Sequence, residues 1–302
     1  MKTLLTFIFE PGFFSSQPVL TALFVSGVAA IVSAVVGIFT VIRGQAFAGH
    51  SLADVSSAGG SASYLLGVNP LLGFLGMAIL GAGGMELVGV ERARGRDLAT
   101  GVVFGAGLGL AALFLYLDVT TTSTSGTTIA VLFGSMFAIP SRTEFLVVII
   151  GSATLIILIA LYRPLLLSSI NPEIAAVQGI RVRLVGLVQM LVLGSAVALS
   201  AISVGAILST ALLIGPAATA LRLAKRPNLA IWLAALIGLG AAWLGILLAY
   251  DSADWIPGHN LPVSFLIVML VFLTYVIASL ISGRGRGIAS AKIATPIRSG
   301  RS

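Results

Sequence analysis

Long apolar runs broken by short polar stretches carry most of the chain. They lie near 19–42, 51–67, 70–90, 98–118, 143–162, 184–202, 204–223, 229–250 and 261–281. Most reach or approach the roughly 20 residues a helix needs to cross a bilayer core. The second run is short and Gly-rich, and reads as a span that is broken or only partly crossing. Residues 127–139 (TTIAVLFGSMFAI) are apolar but too short to cross comfortably. The pattern predicts an all-α polytopic membrane protein with eight to nine transmembrane helices over residues 19–282.

Composition agrees. The 302 residues are 58% hydrophobic and only 9% charged, with a mean hydropathy of +1.11. A soluble domain carries about 25% charged residues, so this chain has too few to cover a water-facing surface. The start, MKTLLTFIFEPGFF, does not read as a signal peptide, because Glu10-Pro11-Gly12 interrupts a short apolar run and no small-residue cleavage site follows. Residues 1–18 are expected to lie on the membrane as an interfacial segment.

The net charge of +7 changes the picture through its distribution. With the N-terminus outside and 127–139 not crossing, only Lys2 and Arg142 of the 17 Lys and Arg fall outside. A crossing at 127–139 would move the middle group of arginines to the wrong side, against the cytoplasmic bias for basic residues. Residues 127–139 are therefore expected to form a short helix dipping into the outer face, behind the outer loop TTTSTSGTT (120–128). Topology accounts for the basic charge, and nucleic-acid binding is set aside. The tail 283–302 (GRGRGIASAKIATPIRSGRS) is basic, polar and without apolar period, and reads as disordered. Contact with anionic lipid is the role that suits it, unless it does nothing specific.

Candidate chemistry sits in four places. The chain has no cysteine, so any metal would be held by His, Asp, Glu or backbone oxygen. In GHSLADVSSAGG (49–60), His50 and Asp54 share one face if the segment is helical. Two kinds of reading stand: the side chains converge on one ion, or Asp54 caps a helix or the two hydrogen-bond across a helix interface. A carboxylate inside a membrane costs several kcal/mol and faces a polar cavity or a partner. One His and one Asp make a poor metal site, but two copies across a two-fold axis would supply four donors. On the inner side, NPEIAAVQGI (171–180) predicts a short surface helix with Asn171 as N-cap, Pro172 at its first position and Gly179 at its end. It serves either as a connector or as a docking element. Gly215-Pro216 predicts a bent, tightly packed helix in 203–226. The outer loop 250–262 brings Asp251, Asp254 and His259 together as an ion-entry mouth, a partner contact or a plain solvated loop.

In this order the blocks resemble the membrane permeases of the manganese and zinc family of ABC importers, over roughly residues 19–281. GQAFAGHSLADVSSAGG after Arg43 resembles the family's G-D-A-L-S-H-A-x-x-P-G, with its Asp and His exchanged at His50 and Asp54 and its Pro absent. NPEIAAVQGI is similar to the coupling-helix pattern D-P-E-x-A-x-x-x-G-[LI], and VGAILSTALLIGPAATALRLAK to V-G-x-x-L-x-x-A-L-L-x-x-P-A-A-T-A-R. The resemblance implies a non-enzymatic, multi-pass permease of the bacterial plasma (inner) membrane that works as a homodimer. A cytoplasmic ATP-binding subunit would dock on Asn171, Pro172, Glu173, Ala176 and Gly179, and a periplasmic or lipid-anchored metal-binding protein would deliver the ion. His50 and Asp54 would line the pathway of a transported divalent metal. Zinc is favoured because imidazole is present, and manganese is next. No cofactor is expected to be bound permanently. The sequence holds no G-x-x-x-x-G-K-[ST] phosphate loop, so ATP would be hydrolysed by the partner. An ABC permease for an organic cargo such as a cobalamin or iron chelate, and a proton-coupled metal carrier, are the competing readings.

Overall fold

The structure is a computed structural model that describes residues 13, 16–88, 93–122, 126–255 and 261–293. Twelve α-helices and no strand occur among the described residues. In chain order they are α1 (Gln17–Ile42), α2 (Ala46–Leu66), α3 (Pro70–Val88), α4 (Ala93–Thr122), α5 (Gly126–Phe133) and α6 (Ser141–Ala160). The rest are α7 (Tyr162–Ile170), α8 (Pro172–Val177), α9 (Val182–Val204), α10 (Ala206–Leu223), α11 (Pro227–Trp255) and α12 (Val263–Ile293). The all-α expectation holds.

Seven of these helices, α1, α4, α6, α9, α10, α11 and α12, are long and apolar enough to cross a membrane. Two more, α2 and α3, run between the same two ends. Asn69, in the turn that joins them, donates to Thr143 at the start of α6, and Thr21 near the start of α1 bonds to Glu144. At the other end, Gln45 and Glu86 line one cavity with Arg43 and Arg183. The second apolar run is therefore an unbroken helix rather than a partial one. It can be less apolar than its neighbours because protein, not lipid, surrounds it. Every residue from Ser51 to Ser61 is buried, and its serines return their hydroxyls to the helix's own carbonyls, as Ser51 does to Phe47 at 2.9 Å and Ser61 to Ser57 at 2.7 Å. Gly59 stays helical because α3 lies flush against it. A Cβ there would stand 2.0 Å from the Gly73 carbonyl oxygen.

The apolar windows of α1 and α9 are 67% and 72% buried, against 17% for α4 and 22% for α12. The interior is thus built on α1 and α9, and α4 and α12 turn most of their surface outward. Helix α1 packs against α9, α10, α11 and α6, while α2 lies between α3 and α4 and rests on α9 and α10. Small residues let these backbones close up. At Gly37 a Cβ would stand 1.9 Å from the Leu213 carbonyl oxygen.

Residues 127–139 do not cross. They form α5 and a 3-10 turn, Met136–Ala138, separated by Gly134 at φ +81°. This segment clasps the α9–α10 turn, where Gly205 takes φ +90° and a Cβ would stand 2.3 Å from the Leu132 carbonyl oxygen.

Three boundaries differ from expectation. Helix α2 begins at Ala46 because Gly44, at φ +66°, makes the turn five residues earlier than the apolar run suggests. Helix α11 continues to Trp255, since no helix breaker occurs before Pro257. Helix α12 continues to Ile293, into the stretch read as a disordered tail, with Pro296 the first proline beyond it. Most of the expected interfacial segment, 1–18, lies outside the described residues.

Candidate functional site

The early start of α2 places His50 and Asp54 on one helix, one turn apart. His50 Nε2 and Asp54 Oδ2 are 3.6 Å from each other. That is too long for a hydrogen bond. It is close to the spacing of two donors on one cation, which at metal–ligand distances of about 2.1 Å would hold them about 3–3.5 Å apart. The carboxylate side chain is 12% exposed and the imidazole 45%. The pair therefore sits at the edge of the single chain, open on one side.

Neighbouring helices fix its depth and walls. A Cβ at Gly49 would meet Leu213 of α10 at 2.8 Å and Leu193, in the middle of α9, at 3.7 Å. The pair is thus near mid-depth, well removed from Arg43 at the inner end. Phe104 of α4 sits beside the imidazole, ring centroids 6.2 Å apart and tilted by 35°. Thr210 of α10 places its Oγ1 3.1 Å from His50 Nδ1. Among the described residues no group of three or more His, Cys, Asp or Glu converges to hold a metal ion. Among the described residues, one chain brings two such donors to this place.

The predicted surface helix is α8. Asn171 caps it by accepting from the Ile174 N–H at 3.0 Å, and Pro172 opens it. Gly179, at φ +79°, ends it with its N–H on the Ala176 carbonyl at 3.0 Å. Ala175 is fully buried and anchors the helix, whereas Pro172, Glu173, Ala176 and Gly179 face outward together with Val177, which is 89% exposed.

The outer trio does not form the expected loop. Asp251 lies within α11 and is buried. Asp254 belongs to the last turn of the same helix, and His259 lies outside the described residues. The loop's return is tied instead by Ser252, which accepts from the Leu261 N–H at 3.0 Å.

Sequence reasoning missed Thr210 and Phe104, which come from distant segments with no local signal. It also missed a polar cavity of about 330 Å³ at the inner end, lined by Arg43, Gln45, Glu86, Ser168, Ser169 and Arg183 among others.

Residues 15–282 match the model of the ABC 3 transport family. The chain belongs to that family. Members of the ABC 3 transport family are transport proteins rather than a class of enzyme, and this chain is a multi-pass membrane member. It is similar to the manganese transport system membrane protein MntC of Halalkalibacterium halodurans, at 32% identity over 83% of this chain and 85% of that one. It is also similar to the high-affinity zinc uptake system membrane protein ZnuB of Haemophilus influenzae, at 28% identity over 83% of this chain and 95% of the other. Among solved structures, PsaBC from Streptococcus pneumoniae in complex with Fab shares the fold with a TM-score of 0.77 and 25% identity, over 91% of this chain and 95% of that one.

Proposed function

We propose that the chain is the permease subunit of an ATP-driven importer for a divalent transition metal in the bacterial plasma (inner) membrane. The observation that carries this reading is the placement of His50 Nε2 and Asp54 Oδ2 3.6 Å apart near mid-depth, with the imidazole 45% exposed at the edge of the single chain. A carboxylate held there costs several kcal/mol unless a cation or partner offsets it. Two chains facing each other would bring two imidazoles and two carboxylates to one passage, enough for a four-coordinate ion. A site shared between copies, incomplete in each, also suits release, because transport needs binding weak enough to end.

Manganese is the leading cargo and zinc the second. Imidazole alone favours zinc, but carboxylate suits manganese, and the manganese relative matches at higher identity than the zinc one. A periplasmic or lipid-anchored metal-binding protein delivers the ion at the outer face. The energy comes from a cytoplasmic ATP-binding subunit that seats on the outward surface of α8, where an exposed Val177 beside Glu173 offers an apolar contact with a polar rim.

The test is uptake of radiolabelled manganese by cells carrying the full importer, with unlabelled zinc as competitor. His50→Ala and Asp54→Ala each abolish uptake while the ATP-binding subunit still co-purifies. Wild-type uptake in both variants would defeat the site, and dependence on a proton gradient with no ATPase attached would defeat the importer.

A further inference from the structure

Both ring nitrogens of His50 have a designated neighbour. Nε2 faces Asp54 Oδ2 at 3.6 Å and Nδ1 faces Thr210 Oγ1 at 3.1 Å. The two are 160 residues apart in sequence and lie on different helices, α2 and α10. Three other threonines deep within the spans turn their hydroxyls back to their own helix. Thr40 donates to the Val36 carbonyl, Thr154 to Ile150 and Thr219 to Gly215, at 2.7–3.0 Å. Thr210 turns instead to the imidazole. Helix packing does not need that hydroxyl, because α10 is already seated on α1 and α2 through Leu213 against Gly37 and Gly49.

A neutral imidazole carries one N–H and one lone pair, and the partner of one nitrogen settles what the other can do. A proton on Nε2 would point at the carboxylate and leave no lone pair on the side where Asp54 waits. A proton on Nδ1, donated to the threonine oxygen, leaves the Nε2 lone pair and the carboxylate facing the same point. A hydroxyl can accept such a bond, and outer partners of this kind orient metal-binding histidines generally.

We propose that Thr210 is a positioning residue for cation binding: its hydroxyl accepts from His50 Nδ1–H and so holds Nε2 toward Asp54. The proposal rests on His50 and Asp54 receiving the transported ion. It assigns to α10 a direct part in the site, although the residue itself never touches the metal. Phe104 of α4 stands beside the same ring, centroids 6.2 Å apart.

Two variants separate this role from packing. Thr210→Val keeps the shape and removes the hydroxyl, and Thr210→Ser keeps the hydroxyl. In the intact importer, Thr210→Val raises the KM for manganese on the order of 10-fold, the usual scale for losing an outer partner, with maximal rate little changed. Thr210→Ser restores the KM to near wild type. A second readout needs no metal. The chain has two histidines, so 15N spectra of the metal-free importer with the label confined to this chain, in a His259→Asn background used for the spectra alone, report His50 by itself. The spectra show the Nδ1–H tautomer, and Thr210→Val shifts the population toward Nε2–H. A wild-type KM in Thr210→Val, a Thr210→Ser variant as impaired as the valine, or an Nε2–H tautomer in the unsubstituted protein would overturn the proposal. If His50→Ala is inactive while Thr210→Val is normal, this inference alone fails. If His50→Ala transports normally, the metal site fails with it.

Discussion

Arg43 donates from its guanidinium to Ser168 Oγ over 2.9 Å, joining the α1–α2 turn to the helix that leads into α8. Ser168 is buried and passes its own hydroxyl to the Leu165 carbonyl at 3.2 Å. Arg43 lies three residues before the start of α2, whose second and third turns carry His50 and Asp54. The bond therefore links the surface proposed to meet the ATPase with the base of the helix proposed to hold the ion. A hydrogen bond to a charged group is worth about 1.5–3 kcal/mol. We expect Ser168→Ala to lower the metal moved per ATP hydrolysed several-fold while the ATP-binding subunit still binds. The ratio of uptake to ATPase rate in proteoliposomes measures this, and an unchanged ratio would show the bond to be packing alone.

Glycines at the closest helix contacts make a second prediction. Gly37→Ala would drive a methyl to 1.9 Å from the Leu213 carbonyl oxygen, and Gly59→Ala to 2.0 Å from that of Gly73. Neither backbone oxygen can turn aside, so both variants should unfold at clearly lower temperature or fail to accumulate. At Gly76 a methyl would meet no heavy atom within 4 Å. There, removing a helical glycine should be neutral or stabilising by up to about 1 kcal/mol. Thermal unfolding in detergent ranks the three.

Docking should depend on the cap of α8. Asn171→Ala removes the acceptor for the Ile174 N–H and should cost about 1 kcal/mol of local helix stability, which Asn171→Asp retains. Val177→Glu, at a fully outward position, should weaken affinity for the ATP-binding subunit without altering thermal stability of the permease alone. Titration of the purified subunit against each variant reads both effects.

The sequence made much of this fold legible because a bilayer imposes long apolar helices and sorts basic residues to one side. It foresaw the non-crossing segment 127–139 and the Asn171–Gly179 helix, where local turn chemistry and capping decide the structure. It erred at Ala46, because a positive-φ Gly44 outweighed the polarity of the residues after it. It erred again at Asp251, because acidic residues were read as loop although nothing before Pro257 stops α11. Thr210 and Phe104 had no signature of their own. Their place beside His50 follows from how α10 and α4 pack on α2, a relationship that no local pattern encodes.

The most direct measurement is manganese bound by the purified importer at equilibrium dialysis, for the wild type and for His50→Ala and Asp54→Ala. The account predicts saturation at one manganese ion per pair of permease chains in the wild type and no binding at that place in either variant. Equal metal in all three proteins, or one ion in every chain, would contradict it.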